Sequence, residues 1–520
     1  MDYLRGRHAS STLTQGTALK IIATLALALS IGLYGAASQS PAPDGIAKFR
    51  AGAYREAIPL LEQSQTANPQ DPIAGSDLLS ALVYEGRVDE AVSLGSSLST
   101  TFPDSPDALA AEGDLAFYLG DVAKAERLYF AALQKREATA RAYFGLYRLY
   151  RSASMHKRAR RSLIRAYAID PANAAIEHAW ISILTPEKRK EFIQDFLKAH
   201  PGADVSKDLE NSLSNGSEMA KALQGRQPDF LQGEHTPTSI HLEDLRFGPN
   251  NKRGYGLLVR INGKRPLKLL LDTGASGILI NERAADRAGL THLGRFETWG
   301  FGDNGVRHAF ASVADTCQIG SLTYKNCILT ALESSKSITD EDGLIGTDFF
   351  SAFLIQLDFQ RNAMNLTPQP ERPVDPQGYD RVVPPGFTPA FRFGHHLLVG
   401  TKLNGATKGL FLIDTGSSQS GVDREFALES TKVYGNEYVR LKGISGRVKD
   451  VFEANKAVIE FAGYRQDNLG MMVWDLNNSG KHQEVRLAGV LGMPVLDLFR
   501  PTLDYRNGVV KFDYNKNQLY

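Results

Sequence analysis

The feature that most constrains the fold of this chain is a short segment that occurs twice in its C-terminal half. Apolar residues precede Asp-Thr-Gly in both copies, Leu269–Gly274 and Phe411–Gly416. An apolar, β-prone run that ends at such a tripeptide predicts a buried strand followed by a tight turn. One copy arises by chance in roughly one chain in ten, whereas two copies behind matching strands are much rarer.

The flanks of the two segments repeat at matching distances. An Asn-Gly pair, which is a strong hairpin signal, precedes each Asp by ten residues, at Asn262-Gly263 and Asn404-Gly405. Downstream, the apolar segment Gly343–Gly346 matches Gly489–Gly492. Because the flanks agree on both sides, we predict that residues 240–516 form two equivalent β lobes.

Each of these units resembles a retropepsin-type aspartic protease subunit, and two units in one chain resemble the pepsin-like arrangement. The resemblance implies an all-β bilobal protease fold whose catalytic residues are Asp272 and Asp414, one from each lobe. In that chemistry a water molecule is activated between two carboxyl groups. Two carboxyls within hydrogen-bond reach do not both ionise easily, so they share a proton. No cofactor and no metal is expected.

The resemblance also implies residues that support the pair. The threonines hydrogen-bond across the lobe interface, and the glycines let the backbone pack closely beside the carboxylates. These implied residues are Thr273, Gly274, Thr415, Gly416, Ser417, Gly346 and Gly492. Lobe one has Ala275 where lobe two has Ser417; retropepsins favour Ala there and pepsins favour Ser. We expect the Ser417 hydroxyl to donate to Asp414 and favour its ionised form, which leaves Asp272 as the proton carrier.

Glycine-rich segments predict two hairpin flaps that close over an extended peptide. The flap candidates are Gly300 and Gly302 in lobe one, and Gly443 and Gly446 in lobe two. Ordinary hairpin turns are the alternative interpretation. Two flaps resemble a fused retropepsin dimer more than a pepsin. His395-His396 precedes a strand, and we interpret the pair as surface histidines because nothing nearby completes a metal site.

A different pattern occupies the first third of the chain, where small residues recur every 34 positions. The recurring residues are Gly52, Gly86 and Gly120; Ala57, Ala91, Ala125 and Ala159; and Pro69 and Pro103. Each period predicts a helix, a glycine turn and a second helix that proline ends. Residues 38–173 therefore resemble four tetratricopeptide repeats. Such an arm implies a concave surface for a peptide or partner protein; a spacer or an oligomerisation module is the alternative.

The N-terminus predicts export. Basic residues precede the apolar run Ile21–Leu33, and small residues follow it. The run is short for a membrane span, so residues 21–37 serve either as a cleaved signal or as a single-helix anchor. Both place the rest of the chain outside the cytoplasm, in the periplasm or an equivalent compartment. There Cys317 and Cys327 either pair or remain buried thiols. The net charge of +1 gives no global attraction to nucleic acid.

The predicted organisation is a multidomain chain in which an α-helical solenoid precedes the β lobes. The predicted segments are 1–40, the signal or anchor; 41–200, the helical repeats; 201–237, a polar flexible linker; 238–372, lobe one; and 373–520, lobe two. The predicted function is an aspartic endopeptidase, a hydrolase, with a protein-binding helical arm. The alternative is a non-catalytic tetratricopeptide adaptor whose protease-like lobes bind peptide without cutting it.

Overall fold

The computed structural model describes most of the chain from residue 43 onward. The described residues are 43–248, 251–298, 307–333, 341–370, 379–405, 407–435, 442–443, 446–448, 450–477 and 484–515. The predicted signal or anchor at 1–40 therefore lies outside the described residues. Among the helices of the described ranges, none has both the length and the apolar character that crossing a bilayer requires.

The N-terminal arm is a series of antiparallel helix pairs. Its helices α1 to α11 are Pro43–Arg50, Tyr54–Ala67, Pro72–Tyr84, Val88–Thr101, Pro106–Tyr118, Val122–Lys135, Ala140–Ser152, His156–Ile169, Ala174–Ser182, Pro186–Ala199 and Ser206–Leu223. The 34-residue period has a direct structural cause. The recurring glycines take positive φ at the turns between paired helices, and the recurring alanines are buried where the helices touch. The predicted helical-repeat architecture is confirmed.

About half of the segment predicted to be a flexible linker, 201–237, is helical. Helix α11, Ser206–Leu223, extends the solenoid, and its Leu209 and Leu213 pack against the cluster around Phe196. Helix α11 also lies against strands of lobe one. An apolar stripe of few residues within a polar, Ser- and Asn-rich helix gave too weak a periodicity to be recognised from sequence.

Lobe one is a β domain with strands β1 to β12. Strand β1 lies near the end of the segment predicted to be a linker. The strands are Phe230–Leu231, Thr238–His241, Glu243–Gly248, Asn251–Ile261, Leu267–Asp272, Ile278–Asn281, Gly294–Thr298, Arg307–Ile319, Leu322–Leu332, Gly343–Gly346, Phe353–Asp358 and Ala363–Pro368. Helix α12, Glu282–Ala288, follows β6. The main sheet runs β1-β9-β6-β10-β5-β4-β8-β7, with β3 paired to β4. Cys317 and Cys327 lie on β8 and β9 as free buried thiols.

Lobe two repeats this plan. Its strands β13 to β24 are Thr388–Phe393, His396–Leu403, Thr407–Ile413, Gly421–Asp423, Val433–Gly435, Lys442–Gly443, Gly446–Arg447, Val451–Phe461, Tyr464–Trp474, Leu487–Leu491, Phe499–Asp504 and Val509–Tyr514. Helices α13 and α14 are Arg424–Leu428 and Met493–Leu496. One antiparallel sheet, ordered β13-β24-β23-β11-β12-β2, contains strands of both lobes and joins them. The predicted all-β bilobal fold is confirmed.

The helical arm is packed onto lobe two through a shared apolar core. Leu398, Leu410 and Val490 of lobe two belong to one buried cluster with Phe117 and Leu146 of helices α5 and α7. The backbone N–H of Arg486 also donates to the carbonyl of Tyr118 at 2.7 Å. The first helices of successive pairs thus contact lobe two along this stretch.

Candidate active site

Both aspartates of the doubled segment lie at the ends of buried strands. Asp272 ends β5, which pairs in parallel with β10 so that Gly346 stands opposite it. Asp414 follows β15, and the parallel strand β22 pairs Leu491 with Ile413. The preceding apolar residues are buried in the lobe cores, which fixes the position at which each turn begins.

The two carboxyl groups meet across the interface between the lobes. Asp272 and Asp414 share a side-chain hydrogen bond, and each retains some exposure to solvent although protein surrounds most of its carboxyl group. The Gly274 N–H donates to Oδ1 of Asp272 at 2.7 Å. The Gly416 N–H donates to Oδ1 of Asp414 at 2.9 Å. Each carboxylate is therefore held by its own turn and faces its counterpart.

The threonines that follow the aspartates bind each other reciprocally. The backbone N–H of Thr273 donates to Oγ1 of Thr415 at 3.1 Å, and the N–H of Thr415 donates to Oγ1 of Thr273 at 2.9 Å. Each hydroxyl in turn donates to a carbonyl of the opposite lobe, that of Ile413 at 2.6 Å or that of Leu271 at 2.9 Å. Because all of these groups are buried, breaking one bond leaves unpaired polar atoms.

The predicted glycines stand where a side chain does not fit. A Cβ at Gly274 would lie 3.0 Å from the carboxyl carbon of Asp414, and one at Gly416 would collide with the carboxyl of Asp272. Beneath the turns, a Cβ at Gly346 or Gly492 would collide with backbone oxygens of the catalytic loops. The close approach of the two carboxyls thus depends on residues without a Cβ.

Burial raises the pKa of both aspartate carboxyls. For Asp272 the rise is opposed by the Gly274 N–H, by the hydrogen bond with Asp414, and by His395 and Arg253. For Asp414 the negative charge and the hydrogen bond of Asp272 add to the effect of burial, so its pKa lies well above the usual range. Because both pKa values are raised and the two carboxyls are hydrogen-bonded to each other, they hold one shared proton between them.

The expected role of the Ser417 hydroxyl is wrong. Its Oγ donates to the carbonyl of Gln419 at 2.7 Å, whereas the backbone N–H of Ser417 donates to Asp414 at 3.0 Å. The assignment of the proton to Asp272 therefore loses the hydroxyl bond on which it rested. A serine in a tight turn readily bonds a nearby backbone carbonyl, and the sequence does not distinguish that bond from one to the carboxylate.

A second carboxylate supports the turn of lobe one. Asp348 accepts from the hydroxyl of Ser276 at 2.8 Å and from the N–H of Gly277 at 2.9 Å. Sequence reasoning missed this residue. Its position two residues past Gly346 was a usable signal, but lobe two has Pro494 in the matching place, so the comparison of the two copies did not reveal it.

The two adjacent histidines of lobe two also contact the turn of lobe one. Their Nε2 atoms lie 3.2 Å (His395) and 3.1 Å (His396) from the carbonyl oxygen of Gly274. Both rings are partly buried, so the interpretation of this pair as surface histidines is wrong. The contact joins residues more than 120 positions apart and depends on how the lobes dock, which a local pattern does not report.

The flap candidates have different outcomes. Gly300 and Gly302 lie outside the described residues. In lobe two, Gly443 pairs with Gly446 in the short antiparallel pair β18–β19, which is the backbone geometry of a hairpin. Their role as flaps stays a prediction.

A cleft of about 580 Å³ lies beside the catalytic turn of lobe one. Ser276 and Gly277 of that turn form one wall, with Asp348 and Phe349. Phe230 of β1, from the segment between the arm and the lobe, also lines the cleft. The cleft mixes apolar surface with carboxylates at a site contiguous with the catalytic loop.

A family model and several solved structures match parts of this chain. The aspartyl protease family model matches residues 257–349, which include Asp272 and Gly346. No curated protein matches the chain. The structure of an aspartic proteinase from Irpex lacteus has 12% identity, and its alignment covers 54% of this chain and 98% of that chain with a TM-score of 0.36. A tetratricopeptide-repeat protein from Thermus thermophilus has 22% identity, coverage of 34% and 95%, and a TM-score of 0.26.

The family match falls within lobe one, and lobe two repeats the same strand registers around Asp414. Gly256 pairs with Leu270 in lobe one, and Leu398 pairs with Leu412 in lobe two. The chain therefore combines N-terminal tetratricopeptide-like repeats with an aspartyl-protease fold of two fused lobes.

Proposed function

We propose that this protein is an aspartic endopeptidase whose catalytic pair is Asp272 and Asp414. The observation that carries the proposal is the hydrogen-bonded pair of carboxyls, contributed by two lobes that Thr273 and Thr415 lock together. A shared proton between buried carboxyls supplies a base and an acid within one site.

For the proton transfers we assign Asp272 as the base and Asp414 as the acid. Ionised Asp272 accepts a proton from the attacking water while the water oxygen bonds to the scissile carbonyl carbon. Protonated Asp414 donates its proton to the carbonyl oxygen, which gives a neutral tetrahedral diol. Collapse of the diol returns a proton to Asp414, and the proton held by Asp272 goes to the departing amine, so the pair ends in its starting state.

The cleft beside Ser276 and Gly277 supports a peptide as the substrate. A side chain adjacent to the scissile bond fits against Phe349 and Phe230, because these rings offer apolar surface next to the catalytic turn. The Gly443–Gly446 hairpin is the proposed flap of lobe two. It would close over the peptide backbone and exclude water.

The helical arm is proposed to bind protein. Part of its surface is already packed against lobe two of the same chain. Helices α5 and α7 hold the lobe-two residues Leu398, Leu410 and Val490 in a common core. That occupation weighs against the alternative of an adaptor that captures a partner along the same stretch. Any further partner would use the rest of the arm. The proposed compartment remains extracytoplasmic, with residues 21–37 as signal or anchor.

A peptide-library digest tests the function directly. Wild type, Asp272→Asn and Asp414→Asn would be incubated with the library across acidic to neutral pH, and the products identified by mass spectrometry. Asp315→Asn is the matched control, because the side chain of Asp315 is 84% exposed and far from the chemistry in sequence. We expect cleavage by wild type and the control, and none by either dyad variant.

Two results would overturn the proposal. Cleavage that survives one dyad substitution would mean that the carboxyls do not act together. Library peptides that bind to wild type but remain uncut at every pH would identify the protein as the non-catalytic adaptor.

A further inference from the structure

The catalytic turn of lobe one receives two imidazoles from the opposite lobe. His395 and His396 lie at the tip of the β13–β14 hairpin, and their ring centroids are 4.0 Å apart. Both Nε2 atoms are within 3.2 Å of the Gly274 oxygen. A carbonyl oxygen only accepts hydrogen bonds, so both imidazoles carry their hydrogen on Nε2.

This contact has no equivalent in the pseudo-symmetric position of lobe one. Thr273 and Thr415 are 142 residues apart, and the registers of β4–β5 and β14–β15 keep that offset. The same offset places Gly254 opposite His396 and Arg253 opposite His395. A Cβ on Gly254 would lie 3.4 Å from the oxygen of Thr415, so a glycine faces the lobe-two turn where an imidazole faces the lobe-one turn.

Arg253 is directed into a different interaction. Its Nε lies 3.4 Å from Oε2 of Glu341, with both side chains largely buried, and its guanidinium stacks over the ring of Phe247 at 5.2 Å. Only the turn that holds Asp272 is therefore supported by a pair of imidazole donors within the described residues.

The charged groups around the imidazoles are few. Asp348 and Asp272 face His395 from lobe one, and Arg392 faces it from β13; His395 is the neighbour of His396. Burial lowers the pKa of His395, and burial together with His395 lowers the pKa of His396 to about 4. At mildly acid pH the His396 ring is thus a neutral donor, and it adds no full charge beside the dyad.

We propose that His395 and His396 are positioning residues that make the dyad asymmetric. They hold the carbonyl of Gly274, whose N–H donates to Oδ1 of Asp272, and so fix Asp272 in the orientation of the general base. The inference rests on the proposed endopeptidase function and extends it to the distinction between the two aspartates.

Paired substitutions test this role. The His395→Leu/His396→Leu double variant removes both donors. The His395→Gln/His396→Gln double variant keeps N–H donors that do not titrate. His241→Gln is the control, because His241 is exposed on β2. The readouts are kcat, KM and the pH profile on a peptide that wild type cleaves.

We expect the leucine pair to lower kcat by about 10- to 100-fold, since a displaced catalytic group costs rate of that order. KM should change by no more than about twofold, because the imidazoles act on the turn and not on the peptide. The acid limb should move to higher pH, because Asp272 loses His395, which lowers its pKa and so favours its ionised form. The glutamine pair should recover most of kcat.

Three outcomes decide the inference. An unchanged kcat and acid limb in the leucine pair would overturn it, as would a glutamine pair that folds like wild type yet is as slow as the leucine pair. If the leucine pair does not fold, the single variants His395→Leu and His396→Leu replace it, and an unchanged kcat in both would overturn the inference. Absence of cleavage by wild type would overturn the endopeptidase function itself, which is a separate result.

Discussion

The two lobes share one plan at the dyad but differ in what covers their outer faces. In lobe two, Leu410 and Leu412 pack into the core of the helical arm. The equivalent residues of lobe one, 142 positions earlier, are Lys268, which is exposed, and Leu270, which Leu245 of the lobe's own strand β3 covers. At these positions lobe one is therefore covered by its own strand, whereas lobe two is covered by apolar surface of the arm.

The comparison shows where a duplicated unit is free to diverge. The residues that meet at the dyad retain their spacing because both copies build one site. The outer faces have no common partner, so each is suited to its own neighbour. The arm is consequently part of the structural core of lobe two and does not act as a detached module.

The largest expected effect on stability comes from removing the buried charge of Arg148. Arg148 is buried, ion-paired with Asp114, stacked over Tyr84 and Phe117, and hydrogen-bonded to the Glu484 carbonyl. Arg148→Leu leaves a buried carboxylate without its cation, so we expect a loss of roughly 3–5 kcal/mol in the free energy of unfolding by urea.

Arg151→Leu is the matched control, because Arg151 reaches the same Glu484 from a side chain that is 44% exposed. Its exposed pair is expected to contribute at most about 1 kcal/mol. Equal losses in the two variants would contradict the burial of the Arg148–Asp114 pair.

The next largest effect on stability distinguishes the outer face of lobe two from that of lobe one. Leu410→Ala opens a cavity between the arm and lobe two, because the buried leucine contacts the turn at Gly120. We expect a loss of about 2–4 kcal/mol in unfolding free energy. Lys268→Ala, at the equivalent position of lobe one, should change it by no more than about 0.5 kcal/mol. Similar losses at both positions would show that the two faces are covered alike.

A smaller effect concerns the pH dependence of stability. The folded-state pKa of His396 is lowered to about 4, below its value in the unfolded chain. Its neutral form therefore contributes stability that is fully present above about pH 6.5 and is lost as the pH falls through about 4. His396→Gln should flatten this decline in Tm between these pH values. A decline as steep as in wild type would mean that His396 is not buried at the lobe interface.

The smallest effect is expected at Ser417. Its hydroxyl bonds the Gln419 carbonyl, and the N–H that bonds Asp414 is unchanged by substitution. Ser417→Ala should therefore leave both limbs of the pH–rate profile in place and cost about 0.5–1.5 kcal/mol of stability. A shifted limb would restore the hydroxyl as a partner of Asp414.

Sequence reasoning located the parts that the duplication repeats and missed those that only one copy has. Asp272, Asp414 and their glycines were predictable because two copies with equal flanks carry the same signal. Asp348 and the histidine pair were not, since each supports lobe one alone and the histidines reach it from a distant hairpin. The docking of Leu410 into the arm was also hidden, because an apolar strand residue does not reveal which surface covers it.

The measurement that tests the central claim most directly is the pH dependence of kcat/KM for one cleaved peptide. The account predicts a bell-shaped profile, because Asp272 loses its role as base when protonated at low pH and Asp414 loses its role as acid when ionised at high pH. Asp272→Asn and Asp414→Asn should abolish the rate at every pH. A pH profile with a single limb would contradict a proton shared between the two lobes. Cleavage activity that either variant retains would contradict it as well.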